Sequence, residues 1–151
     1  MKSQTLYMET TEIETTKTVS DIQRVLSSYG ATQIVLGYET GQVQSLSFSI
    51  IFNAQEIPFT LPCKWEPIFK HLQSKRAVLT RDKKKERDIG QARRVAWRQI
   101  LRWIEAQFAL VDTGMAQVQE VFLPYLLAND GKTLYQYIAE KKFKLLEHKE
   151  G

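Results

Sequence analysis

A chain of 151 residues, 43% apolar and 25% charged, has the balance of an ordinary globular protein and the length for one domain, 1–151, around one core. Its single cysteine, Cys63, excludes an internal disulfide and a multi-cysteine zinc site, and makes a reducing cytoplasm the expected compartment. The net charge of +4 hides an asymmetry. From Lys75 to Arg102 eleven bases accompany three acids, a local +8 against −4 for the remainder, which points to a polyanion partner.

No apolar run reaches membrane-spanning length, and the uncharged stretch Thr40–Ala54 is interrupted by Gln, Ser and Asn. Met1–Thr5 has one positive charge and no apolar stretch behind it, so no secretory leader is expected. Leu6–Thr15, weakly alternating and rich in Thr, reads as a first strand. Ser20-Asp21-Ile22-Gln23 fits a capping box for a helix with Ile22, Val25, Leu26 and Tyr29 on one face, ended by Gly30.

Three strands are expected next. Gln33–Tyr38 is the first, with a hairpin turn at Thr40-Gly41. In the second, Leu46, Phe48, Ile50 and Phe52 alternate with Ser45, Ser47, Ser49 and Ile51, so one face should be buried. After a turn at Asn53–Gln55 comes the third, Ile57–Leu61, where Pro58 demands a sheet edge. Trp65–Lys75 reads as a short helix and Arg76–Asp88 as a charged connector. A long helix from about Arg87 to Asp112 follows, with Ile89, Ala92, Ala96, Ile100, Trp103, Phe108 and Val111 on its apolar side and Gly114 at its end. Gln117–Leu123 is a short helix broken by Pro124, Asn129-Asp130-Gly131 a turn, and Thr133–Gln136 a second capping box opening a last helix to about Lys144. The expected fold is α+β: an antiparallel sheet of three to four strands packed on one face by helices, sheet-rich over 1–63 and helical over 64–146, with a long basic helix.

Chemistry-bearing constellations are sparse. On the long helix Arg87, Gln91, Arg94, Arg98, Arg102 and Glu105 recur every three or four residues and share a face. With Lys83, Lys84 and Lys85 before it, that face suits a phosphate backbone, DNA or RNA, and the bland alternative is a solvated helix face. Arg94 and Arg98 have no acid one turn away on the same helix. Arg93 precedes Trp97 by one turn, which permits a cation–π contact. Phe48, Phe52 and Phe59 suit a buried sheet face better than a base-stacking platform, because no Lys or Arg lies between Ala31 and Cys63. The competing site for a protein partner is the dense apolar run around Pro124, with Phe122, Tyr125 and Leu126 as its anchors.

Catalysis has little to draw on. His71 and His148 are expected in solvent, Cys63 as an ordinary free thiol and Glu105 as the partner of Arg102. No phosphate-loop, dinucleotide, nucleophile-elbow or zinc-protease motif is present, and no catalytic residue, metal or cofactor is expected.

In outline, helix, three strands, a Lys-rich stretch and a helix resemble a double-stranded-RNA-binding domain, with an added helix at Trp65–Lys75 and no Gly-rich turn before the lysines. Across about Thr18–Tyr137 the chain resembles a family of uncharacterised small proteins from bacteriophages, prophages and other bacterial mobile elements. The residues that carry this are Arg94-Val95-Ala96-Trp97-Arg98, Trp103–Gln107, Glu120–Tyr125 and Asp130–Tyr135, with Gly30-Ala31 and Phe59–Pro62 before them. The resemblance implies a setting, the cytoplasm of a bacterial host cell, and no catalytic residues. The expected function is a non-enzymatic accessory protein that binds nucleic acid through Lys83–Arg102. The alternative is a module docking on a bacterial or phage protein, and no membrane partner is expected.

Overall fold

The computed structural model describes residues 5–75 and 82–144, without the side chains of Pro62, Lys75, Asp82, Lys83 and Lys84. Two tight turns organise it. At Thr40-Gly41 (φ 49° and 78°) and Asn53-Ala54 (φ 51° and 63°) both central residues are left-handed, the conformation whose twist matches that of flanking strands. The turns join β1 (Ala31–Glu39), β2 (Gln42–Phe52) and β3 (Gln55–Pro62) into an antiparallel sheet of order β1-β2-β3. Pro58 therefore lies on an edge strand, as its missing N–H requires.

Register sets the faces. Ile34, Phe48 and Phe59 lie abreast, as do Leu36, Leu46 and Leu61, and this side is the core. The opposite row is Val35, Ser47 and Thr60, with a hydroxyl–hydroxyl hydrogen bond of 2.8 Å between Ser47 and Thr60. The burial expected of Phe52 does not extend so far along β2. Phe52 sits at the turn and is 38% exposed.

All the long helices cover one face. Helix α1 (Thr15–Ser28) buries Thr18, Val19, Ile22 and Leu26. It begins five residues before the expected cap, so Ser20 is an exposed mid-helix residue and its capping box does not form. Gly30 (φ 97°) turns the chain into β1. The strand expected at Leu6–Thr15 does not form. Side chains of α3 (Asp82–Asp112) engage that backbone instead: Gln91 Nε2 donates to the carbonyls of Glu9 (2.8 Å) and Thr11 (2.9 Å), and Gln99 Nε2 to that of Tyr7 (2.8 Å). The segment thus runs against α3, and α1 returns beside it.

Helix α2 (Glu66–Lys75) packs on α3. Residues 76–81 of the expected connector lie outside the described residues, and the rest is helical: α3 begins at Asp82, so Lys83–Lys85 belong to its first turn. At 31 residues α3 is about 46 Å long. Its side chains Val95, Trp97, Leu101, Ile104 and Phe108 are buried. The chain then returns through α4 (Val118–Val121) and a 3₁₀ turn, Leu123–Tyr125, at Pro124. Next, Leu127 N–H donates to Pro58 C=O (2.9 Å), and the chain enters α5 (Leu134–Glu140). The Thr133 capping box forms, but α5 stops at Glu140, four residues short of expectation, and Lys142 and Phe143 turn left-handed.

This return drives Phe122 into the centre of the molecule. Its ring meets Phe48 (5.3 Å, near-perpendicular) and Phe59 (6.1 Å) from the sheet, and Trp103 and Phe108 (5.5 Å each) from α3. Aromatic pairs at such distances add about 0.5–1.5 kcal/mol each beyond the area they bury. Phe122→Ala is expected to cost about 3–5 kcal/mol in urea denaturation, with Phe48→Ala in the same range. Phe52→Ala should be nearly neutral. Equal effects of Phe52→Ala and Phe122→Ala would contradict the assigned core.

Candidate nucleic-acid interface

The shared face of α3 meets the other elements rather than solvent along most of its length. Arg94 is half-buried, and its Nε (3.0 Å) and Nη2 (2.8 Å) both donate to Gln91 Oε1. Gln91 in turn clamps the N-terminal segment. Arg98 is buried, and its Nη1 lies 3.7 Å from Asp21 Oδ2 on α1. The acid that α3 could not supply comes from another helix. Arg98 Nε and Nη1 make no hydrogen bond among the described residues, so the attraction to Asp21 is coulombic. Asp21 also draws Lys17 (3.4 Å) and Arg24 (3.3 Å) on its own helix. Arg102 is partly exposed and hydrogen-bonds Glu105 Oε1 at 2.7 Å, the pairing expected of Glu105.

The exposed bases are those of the first turns. Lys85 and Arg87 are exposed; Arg87 keeps 54% of its side-chain surface despite approaching Asp88 at 3.9 Å. Lys83 and Lys84 are placed by their backbone on the same turns. A polar cleft of about 340 Å³ opens beside them, between Glu9, Glu12, Leu72, Arg87, Gln91 and Arg94. Of the seven bases singled out from sequence, Lys85 and Arg87 are exposed on the first turns, where the backbone also places Lys83 and Lys84, Arg94 and Arg98 work inside the fold, and Arg102 is paired. Arg93 does not reach Trp97, which is buried. It lies 4.9 Å over the Trp65 ring and ties α3 to the start of α2.

The residues expected at a protein interface divide as well. Phe122 is fully buried and offers no docking surface. Leu126 is half-buried and bridges Phe59 beside the β3 edge. Tyr125 does reach a surface: with Leu61, Ile68, Ala96, Ile100 and Trp103 it lines a mainly apolar cleft of about 340 Å³. Lys64 and Gln99 stand at that cleft. Neither Asp21 nor this cleft was visible to spacing along one helix, since each is assembled from distant segments.

Cys63 is buried, and burial, aided by Glu66 and opposed by Arg93, pushes its thiol up to about 12. His71 is half-buried rather than solvated, with Nε2 3.7 Å from Glu9 Oε1. His148 lies outside the described residues. Among the described residues no group of His, Cys, Asp or Glu is arranged to hold a metal, and no helix is long and apolar enough to cross a membrane. Comparison with protein-family models, curated proteins and solved structures finds no match.

Two outcomes follow from these placements. Asp21→Ala leaves the Arg98 charge buried without its acid and is expected to cost about 3 kcal/mol. Arg98→Met should cost less, because Asp21 keeps Lys17 and Arg24; urea denaturation of the two variants gives the order. Cys63 should resist alkylation in the native protein up to about pH 10, since the thiolate is the reactive form and the raised pKa keeps it scarce. Rapid labelling at pH 8 without denaturant would contradict its burial.

Proposed function

We propose that this chain is a non-enzymatic binding protein that contacts nucleic-acid phosphates through the first turns of α3, Lys83–Arg87. The observation that carries the reading is the placement of these bases. Lys85 and Arg87 project into solvent, whereas Arg94, Arg98 and Arg102 further along are engaged by Gln91, Asp21 and Glu105. Exposed bases gain by displacing counterions from a phosphate chain, and engaged ones gain little. The order α1-β1-β2-β3 followed by a basic helix supports the reading as an outline shared with double-stranded-RNA-binding domains, with α2 as the addition. A phage or mobile-element setting in a bacterial cell is compatible with such an accessory role.

The second reading is docking of a protein partner, favoured by the apolar cleft at Trp103 and Tyr125. The two are separable because the cleft and the basic turns use different residues.

Binding to a patch of this kind is expected to be weak, largely independent of sequence and steeply dependent on salt. Fluorescence anisotropy with labelled single-stranded DNA and duplex RNA across a salt series measures it. Lys85→Glu with Arg87→Glu should lower the log–log salt slope by about 1.4–1.8, since each phosphate no longer neutralised accounts for about 0.7–0.9. Tyr125→Ala should leave binding unchanged. Charge reversal at Arg98 tests folding and not phosphate contact, because the side chain is buried. An anisotropy that never rises with either probe would end the nucleic-acid reading.

A further inference from the structure

The apolar cleft at Trp103 and Tyr125 has one charged end. Ala96, Ile100 and Trp103 line it from a single row of α3, and Arg93 stands one turn before Ala96 in the same row. Ala96 and Trp103 are about 10 Å apart along the helix axis. Beyond Trp103 the cleft meets the Tyr125 ring, 5.5 Å away and inclined at 72°. At the Ala96 end the chemistry changes. Lys64, which lines the cleft, precedes Trp65, and the Arg93 guanidinium lies 4.9 Å over the Trp65 ring, so both cations belong to that end.

Neither cation is neutralised locally. Among the described residues Lys64 and Arg93 make no salt bridge, and Arg93 Nε is buried without an acceptor. Glu66, exposed on the first turn of α2, pairs with neither. Gln99, the other polar residue at the cleft, has its amide N–H committed to the Tyr7 carbonyl at 2.8 Å.

We propose that this cleft binds a small aromatic carboxylate, its ring between Trp103 and Tyr125 and its carboxylate at Lys64, with Arg93 beside it. Size and charge both select this class. A space of about 340 Å³ lies at the lower end of the range for small-molecule sites and suits one or two rings. The length between Ala96 and Trp103 suits a ring joined to its carboxylate by a short chain. Inclined aromatic walls offer a bound ring both a face and an edge. An unpaired cation beside an apolar wall attracts an anion more strongly than a fully hydrated one does, and it repels a cationic ligand of the same shape. The site is separate from the basic turns at Lys83–Arg87, so it stands or falls independently of the phosphate contact proposed there.

NMR titration of the isotope-labelled full chain with 4-phenylbutyrate, 4-phenylbutan-1-ol and 4-phenylbutylamine, three probes of one shape, tests this. The carboxylate should give saturable shifts at the amides of Ile68, Ala96, Ile100 and Trp103, with a dissociation constant of roughly 1 mM or tighter for a ligand of its size. The alcohol should bind about tenfold more weakly and the amine more weakly still. Lys64→Glu, at an exposed position, should cost the carboxylate roughly tenfold or more and leave the alcohol unchanged. Tyr125→Ala should weaken carboxylate and alcohol alike. The absence of saturable shifts up to about 10 mM carboxylate overturns the proposal. So does equal affinity for the three probes, which is the mark of an apolar patch without charge selection. Shifts confined to Lys85–Arg87 overturn it too, as anion pairing at the basic turns, and so does a carboxylate affinity that either substitution leaves unaltered.

Discussion

Phe122 closes the core from outside the two elements that enclose it. The sheet brings Phe48 and Phe59, α3 brings Trp103 and Phe108, and the space between them is filled by a ring from the returning chain. That placement depends on Pro124. By ending regular helix after α4, it lets the backbone turn back towards the sheet and reach Pro58, where Leu127 donates its N–H. One ring therefore ties the C-terminal half to the sheet, and the same return caps the β3 edge.

Helix α3 is the axis of the rest, and its sides have different chemistry. One is apolar and faces the core. Another carries amides and guanidiniums that hold the N-terminal segment and α1 in place, through Gln91, Arg94 and Arg98. The stacking of Tyr29 on Phe108 at 3.9 Å, with the Tyr29 hydroxyl donating to Asp112, fixes the far ends of α1 and α3 together. What remains for a partner is the beginning of α3 and the cleft near Trp103. The basic character of this helix is thus divided between internal architecture and solvent.

Elements whose signal is local were legible in sequence. The alternation Leu46–Phe52, the edge position of Pro58, the turn at Thr40-Gly41 and the capping box at Thr133 each depend on neighbours within a few residues. Features decided by distant partners were not. Thr-rich alternation before Thr15 suggested a strand, but its carbonyls found side-chain amides on α3 in place of a neighbouring strand. Helical spacing correctly grouped Arg94, Arg98 and Arg102, yet spacing says which residues share a face and not what that face meets. Asp21 supplied the missing acid from α1. Phe122 and Leu126 looked like a surface patch because an apolar run reads alike whether it lies outside or folds back inside.

The position of Phe122 along the chain also bears on synthesis. Phe48 and Phe59 are made long before the ring that covers them, and a ribosome adding about 5–20 residues per second needs roughly 4–15 s to travel from Phe48 to Phe122. Until Phe122 is made, the space between the sheet and α3 lacks its central ring, and the β3 edge is uncapped by Leu126 and Leu127. The chain is then a substrate for whatever in the cell binds open strands, and its final folding step is set by the arrival of its last third.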